Sequence, residues 1–194
     1  MCVLVGIGVV AFWPGEREPV YQGKKLSEWL RAYALAEAEL DRTADYGLNS
    51  YRGDPWDTLR VPAEAVQHIG TNAVPFLLKW IQYEQPWWRK KAYIYYSKLP
   101  SRMQTRSITW WIWGAEPYAR KNRAINAFRI LGARADDAVA DLYFLALNPR
   151  TSQAAFECLE GIGYPAVPVL NRLTDAPDEK VRAMAYHTLS GIGR

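Results

Sequence analysis

The feature that most constrains this chain is a glycine that returns at a nearly fixed interval. Gly70, Gly132, Gly163 and Gly193 mark it, and Pro100 stands where a fifth mark falls. Successive marks lie 30, 32, 31 and 30 residues apart. The residues before each mark form consistent columns. One position back are Ile69, Leu99, Leu131, Ile162 and Ile192; four back are Val66, Tyr96, Phe128, Leu159 and Leu189. Eight back are Pro62, Ala92, Ala124, Ala155 and Ala185, and five back are the mostly small Ala65, Tyr95, Ala127, Cys158 and Thr188. Large residues beside a small column are what close helix–helix contact requires.

The stretch Ala154–Leu173 shows what one period contains. Ala155, Leu159 and Ile162 make an i, i+4, i+7 stripe that ends at Gly163. Pro165 is expected to open a second helix, where its missing N–H costs nothing, and Val167, Leu170 and Leu173 give that helix its own stripe. A unit this small cannot bury both stripes alone, so it must stack on its copies. The expected fold is all-α: a short α-solenoid of four to five helical hairpins.

The segments IGTNAVPFLLKWI (Ile69–Ile81) and IGYPAVPVLNRLT (Ile162–Thr174) resemble the HEAT-like, or HEAT/PBS-lyase-type, repeats of bacterial proteins. LGARADDAVADLYFLAL (Leu131–Leu147) resembles the longer-turn variant, with Ala140 in place of the proline. EPVYQGKKLSEWL (Glu18–Leu30) resembles the entry segment of some membrane-anchored members. The resemblance covers Val20 to Arg194, and the copy around Pro100 departs from it. It implies a binding scaffold with a protein partner, since such repeats mostly serve that end. Some relatives of this kind are bilin lyases or DNA glycosylases, but nothing here matches their sites residue by residue.

The domain organisation follows. Residues 1–20 hold an apolar segment and a linker, and residues 21–194 hold the repeats. Met1–Trp13 (MCVLVGIGVVAFW) is uninterrupted apolar sequence, shorter than a membrane span and without the basic start of a signal peptide. It is read as the end of a membrane anchor or export signal, with a terminal helix on the first repeat as the alternative. An exported or membrane-anchored bacterial protein is therefore expected, with membrane association through residues 1–13. Pro14–Lys25 reads as extended linker, Leu26–Asp41 as a helix, and Thr43–Asp57 as a polar loop with Asp57 or Thr58 capping the first repeat helix. Asp178 is a further cap candidate. The chain stops at Arg194 after a first helix, so Leu189 and Ile192 are expected to lack a mate.

Charge singles out one region. The 194 residues carry a net charge of +4, yet between Arg89 and Arg134 eleven basic residues face one acid, Glu116. The candidate binding surface is Arg89, Lys90, Lys91, Lys98, Arg102, Arg106, Arg120, Lys121 and Arg123, interleaved with Trp110, Trp111 and Trp113. Basic side chains neutralise phosphates, and aromatic faces stack on bases or sit at lipid headgroups. Nucleic-acid or anionic-membrane binding is thus the alternative to a protein scaffold. The competing structural explanation is that the tryptophans fill a widened hairpin and the cations form a solvated face.

No catalytic residue, cofactor or metal is expected. His68 and His187 occupy different places in the repeat, and no CxxC, HExxH, GxxxxGK[ST] or GxSxG stretch occurs. Asp136, Asp137 and Asp141 are explained by helix capping, and Ser97, Ser107 and Ser190 have no visible base. Cys158, in the small column, is read as a buried free thiol.

Overall fold

A computed structural model describes residues 17–45, 55–83 and 116–193, together with Lys91, Tyr95 and Lys98. These residues are almost entirely helical. A two-stranded β-hairpin (β1, Val20–Tyr21; β2, Lys24–Lys25) leads into α1 (Leu26–Asp45). Three helical units follow. The first is α2 (Pro55–Ile69), a 3-10 turn (Gly70–Ala73) and α3 (Val74–Ile81). The second is α4 (Glu116–Leu131), a longer 3-10 turn (Gly132–Ala138) and α5 (Val139–Leu147). The third is α6 (Ser152–Ile162), a short turn (Tyr164–Ala166) and α7 (Val167–Leu173), after which comes α8 (Glu179–Ile192).

The repeating glycine ends a helix for a conformational reason. Gly70, Gly132 and Gly163 have φ of +58°, +54° and +80°, a region that side chains with a Cβ rarely enter. Nothing lies within 4 Å of a Cβ built at any of the three, so backbone twist and not space selects glycine. Gly193 differs: its φ is −81°. The second helices begin at Val74 and Val167, with Pro75 and Pro168 in their first turns. Pro165 lies in the 3-10 turn and not in the helix it was expected to open.

The columns have the expected burial in the three complete units. Val66, Phe128 and Leu159 are fully buried, as are Ala124, Ala127, Ala155 and Cys158. Ile69, Leu131 and Ile162 are buried as well. In α8, Ala185 and Thr188 are buried, while Leu189 and Ile192 are half-buried against the core. The copy around Pro100 lies outside the described residues except for Lys91, Tyr95 and Lys98. Tyr95, which falls in the mostly small column, is 71% exposed, whereas Ala65, Ala127, Cys158 and Thr188 in that column are buried.

Packing runs between consecutive units. Each second helix lies on the first helix of the unit that follows: α3 on α4, α5 on α6 and α7 on α8. The first helices also touch in order, α2 to α4, α4 to α6 and α6 to α8. The α2–α3 unit therefore packs directly on the α4–α5 unit, although two sequence periods separate Gly70 from Gly132. The same local contact recurs at each junction. Gln67 Nε2 donates to the Ile130 carbonyl at 3.4 Å. A Cβ on Gly161 would sit 2.8 Å from Arg129 Cγ, and one on Gly191 would sit 2.7 Å from Glu160 Oε1. In every case the residue three before the turn glycine meets the residue two before the next one.

The entry segment is more ordered than a linker. Val20 pairs with Lys25 and Tyr21 with Lys24, across a turn in which Gln22 and Gly23 have φ of +48° and +76°. Both central residues have positive φ, which suits a two-residue hairpin loop, but Gln-Gly lacks the usual asparagine or aspartate signal. Tertiary contacts hold it. The Trp29 indole donates to the Tyr21 carbonyl at 3.0 Å, the Tyr21 ring stacks on His68 at 4.9 Å, and Lys24 Nζ lies 4.6 Å above Trp29. The hairpin begins at Val20, so the linker ends earlier than expected.

Some boundaries also move. α1 continues to Asp45, past the expected end at Asp41, and α2 starts at Pro55, which places Asp57 in the first turn and not at the cap. Glu116, the single acid of the basic region, opens α4 with Pro117. Asp178 does cap α8, its Oδ1 accepting from the Lys180 N–H at 2.8 Å. At α5 no side chain caps the helix; Asp136 Oδ1 instead accepts from the Asp137 N–H.

Candidate functional site

The candidate basic residues that fall among the described ones differ in burial. Lys91, Lys98 and Arg120 are exposed, and Lys121 is half-buried. Arg123 is 7% exposed, which corrects its assignment to a binding surface. Its Nε donates to the Ala119 carbonyl at 3.0 Å and its Nη1 to the Ser27 carbonyl of α1 at 3.5 Å. A guanidinium taken out of water needs such partners, so Arg123 ties α4 to α1. Arg89, Lys90, Arg102, Arg106, Trp110, Trp111 and Trp113 lie outside the described residues.

α4 is the centre of the packing because it touches α1, α2, α3 and α6. Beside it α1 and α6 frame an open cleft of about 480 Å³. Glu37 enters it from α1, Asn122, Arg123, Asn126 and Arg129 from α4, and Glu157 from α6. Asn126 Nδ2 donates to Glu37 Oε2 at 2.8 Å, and Arg129 donates to Asn126 Oδ1 at 3.4 Å. Gln153 donates to Glu157 Oε1 at 3.1 Å. The cleft carries both signs of charge, and Asn126, Glu37 and Glu157 each have a side-chain partner. Among the described residues, its lining includes no Ser, Cys, His or Lys.

The titratable groups nearby fit a structural role. Burial pushes the Tyr33 phenol above its ordinary value, the Glu37 carboxylate adds to that, and the Arg129 charge opposes both. The folded state thus holds this proton more tightly than the unfolded chain, so stability falls as pH climbs past the ordinary tyrosine range near about 10. Replacing Glu37 by Gln is expected to lower the Tyr33 titration midpoint while leaving the share due to burial. Absorbance titration of the phenolate checks this, and an unchanged midpoint would contradict the proposed coupling across α1. Cys158 is a free buried thiol, pushed well up mainly by burial, and such a thiol is inert. His68 serves the Tyr21 stack.

The second helices carry further exposed residues, and of these helices α5 and α7 lie in contact. Leu77, Leu142 and Leu170 are each fully buried and anchor a common register. Two residues on stand Lys79, Phe144 and Arg172, all on the exposed side. Phe144 is 69% exposed, and Leu147 follows it at 39%. The Arg172 guanidinium covers the Tyr143 ring at 5.2 Å, and Tyr143 meets Phe144 edge to face at 5.3 Å. A face lined by second helices is the first place to expect a partner in a stack of this kind, but the sequence columns do not single out these residues. The signal that could have found them is Phe144 itself, which falls two places past the apolar stripe of its helix.

Among the described residues, no group of three or more His, Cys, Asp and Glu side chains is placed to hold a metal ion, and no helix is long and apolar enough to cross a membrane. No protein-family model matches the chain, and no curated protein or solved structure is significantly similar to it.

Proposed function

We propose that this chain is a short HEAT-like α-solenoid acting as a non-catalytic scaffold for a protein partner. The solenoid reading is supported by the contact that recurs at three successive junctions, Gln67 to Ile130, Arg129 to Gly161 and Glu160 to Gly191. Units that repeat one register build a surface that extends with each copy. The observation that carries the scaffold reading is the row of second helices, where Phe144 is 69% exposed beside Leu147. Exposed apolar surface of that kind marks interaction sites when it is contiguous. The apolar run Met1–Trp13 supports a place at a bacterial envelope, which membrane fractionation of cells making the native chain would check.

Site-specific photo-cross-linking in cells tests the scaffold. A cross-linker at Leu147 is expected to capture protein, whereas one at Gln153, on the opposite helix row, is not. Absence of protein adducts from Leu147 would remove the reading. The alternative, polyanion binding by the basic–aromatic region, keeps the exposed Lys91, Lys98 and Arg120 but loses Arg123 to the interior. Its test is binding to oligonucleotides and anionic vesicles at low salt. The scaffold reading expects neither to bind appreciably; the alternative expects binding that falls steeply with salt and collapses when Lys91 and Lys98 become Glu.

A further inference from the structure

The open cleft beside α4 holds an opposed pair of charges that the fold keeps apart. Arg129 enters it from α4 and Glu157 from α6. Among the described residues, no ion pair joins Arg129 to Glu157 or to Glu37, although all three line the same cleft. Both groups are held where they stand. The aliphatic stem of Arg129 lies against α6 at Gly161, where an added Cβ would sit 2.8 Å from its Cγ. Glu157 stands one turn earlier on the same face of α6. The Arg129 head donates to Asn126 Oδ1 at 3.4 Å, and Glu37 Oε2 fixes the Asn126 amide at 2.8 Å. Glu157 Oε1 accepts from Gln153, a further turn back. Arg129 retains other N–H donors and Glu157 a second oxygen. The Arg129 charge opposes the rise of both the Tyr33 phenol on α1 and the Cys158 thiol on α6, as a cation seated between those helices must. Ala34, Ala119 and Ile125 supply apolar wall.

We propose that this cleft binds a small zwitterion of the amino-acid type, its carboxylate on Arg129 and its ammonium on Glu157. The planar guanidinium offers a carboxylate a forked pair of donors. A ligand of one sign gains one of these contacts and meets repulsion from the other group: a simple cation faces Arg129, and a simple anion faces Glu157 and Glu37. Only a ligand bearing both signs satisfies the pair. The volume of about 480 Å³ falls within the range of about 300–1,000 Å³ typical of small-molecule sites. Because Asn126 and Gly161 already hold Arg129 in place, little ordering of that side chain is left for the ligand to impose. Free α-amino acids and short peptides share the required chemistry. This site does not rest on the scaffold reading, which concerns the second helices.

The test is a heteronuclear NMR titration of the full chain with a panel of free L-amino acids and dipeptides. At least one member is expected to give saturable shifts in the Asn122 and Asn126 carboxamide signals and in the Arg129 Nε–H signal. Whether that member is a free amino acid or a dipeptide identifies the source of the ligand. Its two single-charge analogues, the amine lacking the carboxylate and the acid lacking the ammonium, are expected to bind about tenfold more weakly or worse. Glu157→Gln removes one charge near the surface and should weaken the zwitterion by a similar factor at an unchanged melting temperature. Arg129→Lys keeps the stem and the charge but loses the fork, and is expected to weaken it as well. A panel that gives no saturable shift at millimolar concentration would overturn the assignment. So would an amine or acid analogue, or a Glu157→Gln variant, that binds as tightly as its parent.

Discussion

Phe128→Ala is expected to cost about 3–5 kcal/mol of folding stability. Phe128 is the largest fully buried side chain among the described residues. It belongs to α4, which touches α1, α2, α3 and α6. Truncating it removes the transfer free energy of the ring and leaves a cavity bounded by elements that hold one another in place, so collapse around the gap is limited. Domains of this size are stable by only about 5–15 kcal/mol, so the loss is a large share of the total. Urea unfolding followed by circular dichroism reads it directly. A cost below about 1 kcal/mol would mean that Phe128 does not fill the core. Leu159→Ala, in the same column one unit on, is expected at about 2–5 kcal/mol.

The second large effect is a contrast between two glycines in the same place of successive units. A Cβ at Gly161 would lie 2.8 Å from Arg129 Cγ, 3.0 Å from its backbone N and 3.1 Å from its Cα. The backbone of α4 cannot retreat without disturbing its other neighbours, so Gly161→Ala must push α6 away. Overpacking of this kind costs about 1–3 kcal/mol, more than the gain of up to about 1 kcal/mol that alanine brings to a helix interior. At Gly191 the obstructing atom is Glu160 Oε1, the far end of a flexible side chain. It can swing aside, so Gly191→Ala is expected to be neutral or stabilising. Thermal melts of the two single variants check the pair. Equal effects would mean that the α4–α6 and α6–α8 approaches do not differ in the way the geometry gives.

Much of this fold is legible in the sequence, and the legible parts share a cause. The period of the glycines and the columns at Val66, Phe128 and Leu159 reflect requirements that each unit must meet for itself: a positive φ at the turn, and a large side chain where the next helix arrives. What depends on particular neighbours is not written so openly. The β-hairpin at Val20–Lys25 has no strong turn signal and is held by Trp29 and His68 from other elements. Arg123 reads as one more cation in a basic run, because nothing local says that Ser27 of α1 will lie against it. Tyr95 satisfies the spacing of the small column but not its size, and it is exposed where the others are buried. The face lined by second helices is where a partner is expected in a stack of this kind, but the spacing of the buried stripe says nothing of which exposed side chains, Phe144 among them, that face carries.

The contact repeated at each junction of first helices has a consequence for how such a chain can change length. At each junction the residue three before one turn glycine meets the residue two before the next, so the seat that α6 offers to α8 is in the register that a second copy of α6 would need. A duplicated cassette spanning Ser152 to Asp178, spliced after Asp178, would find a matching berth without any other substitution. Growth or shortening by whole modules is then a small evolutionary step, and the series of second helices would lengthen or contract in proportion.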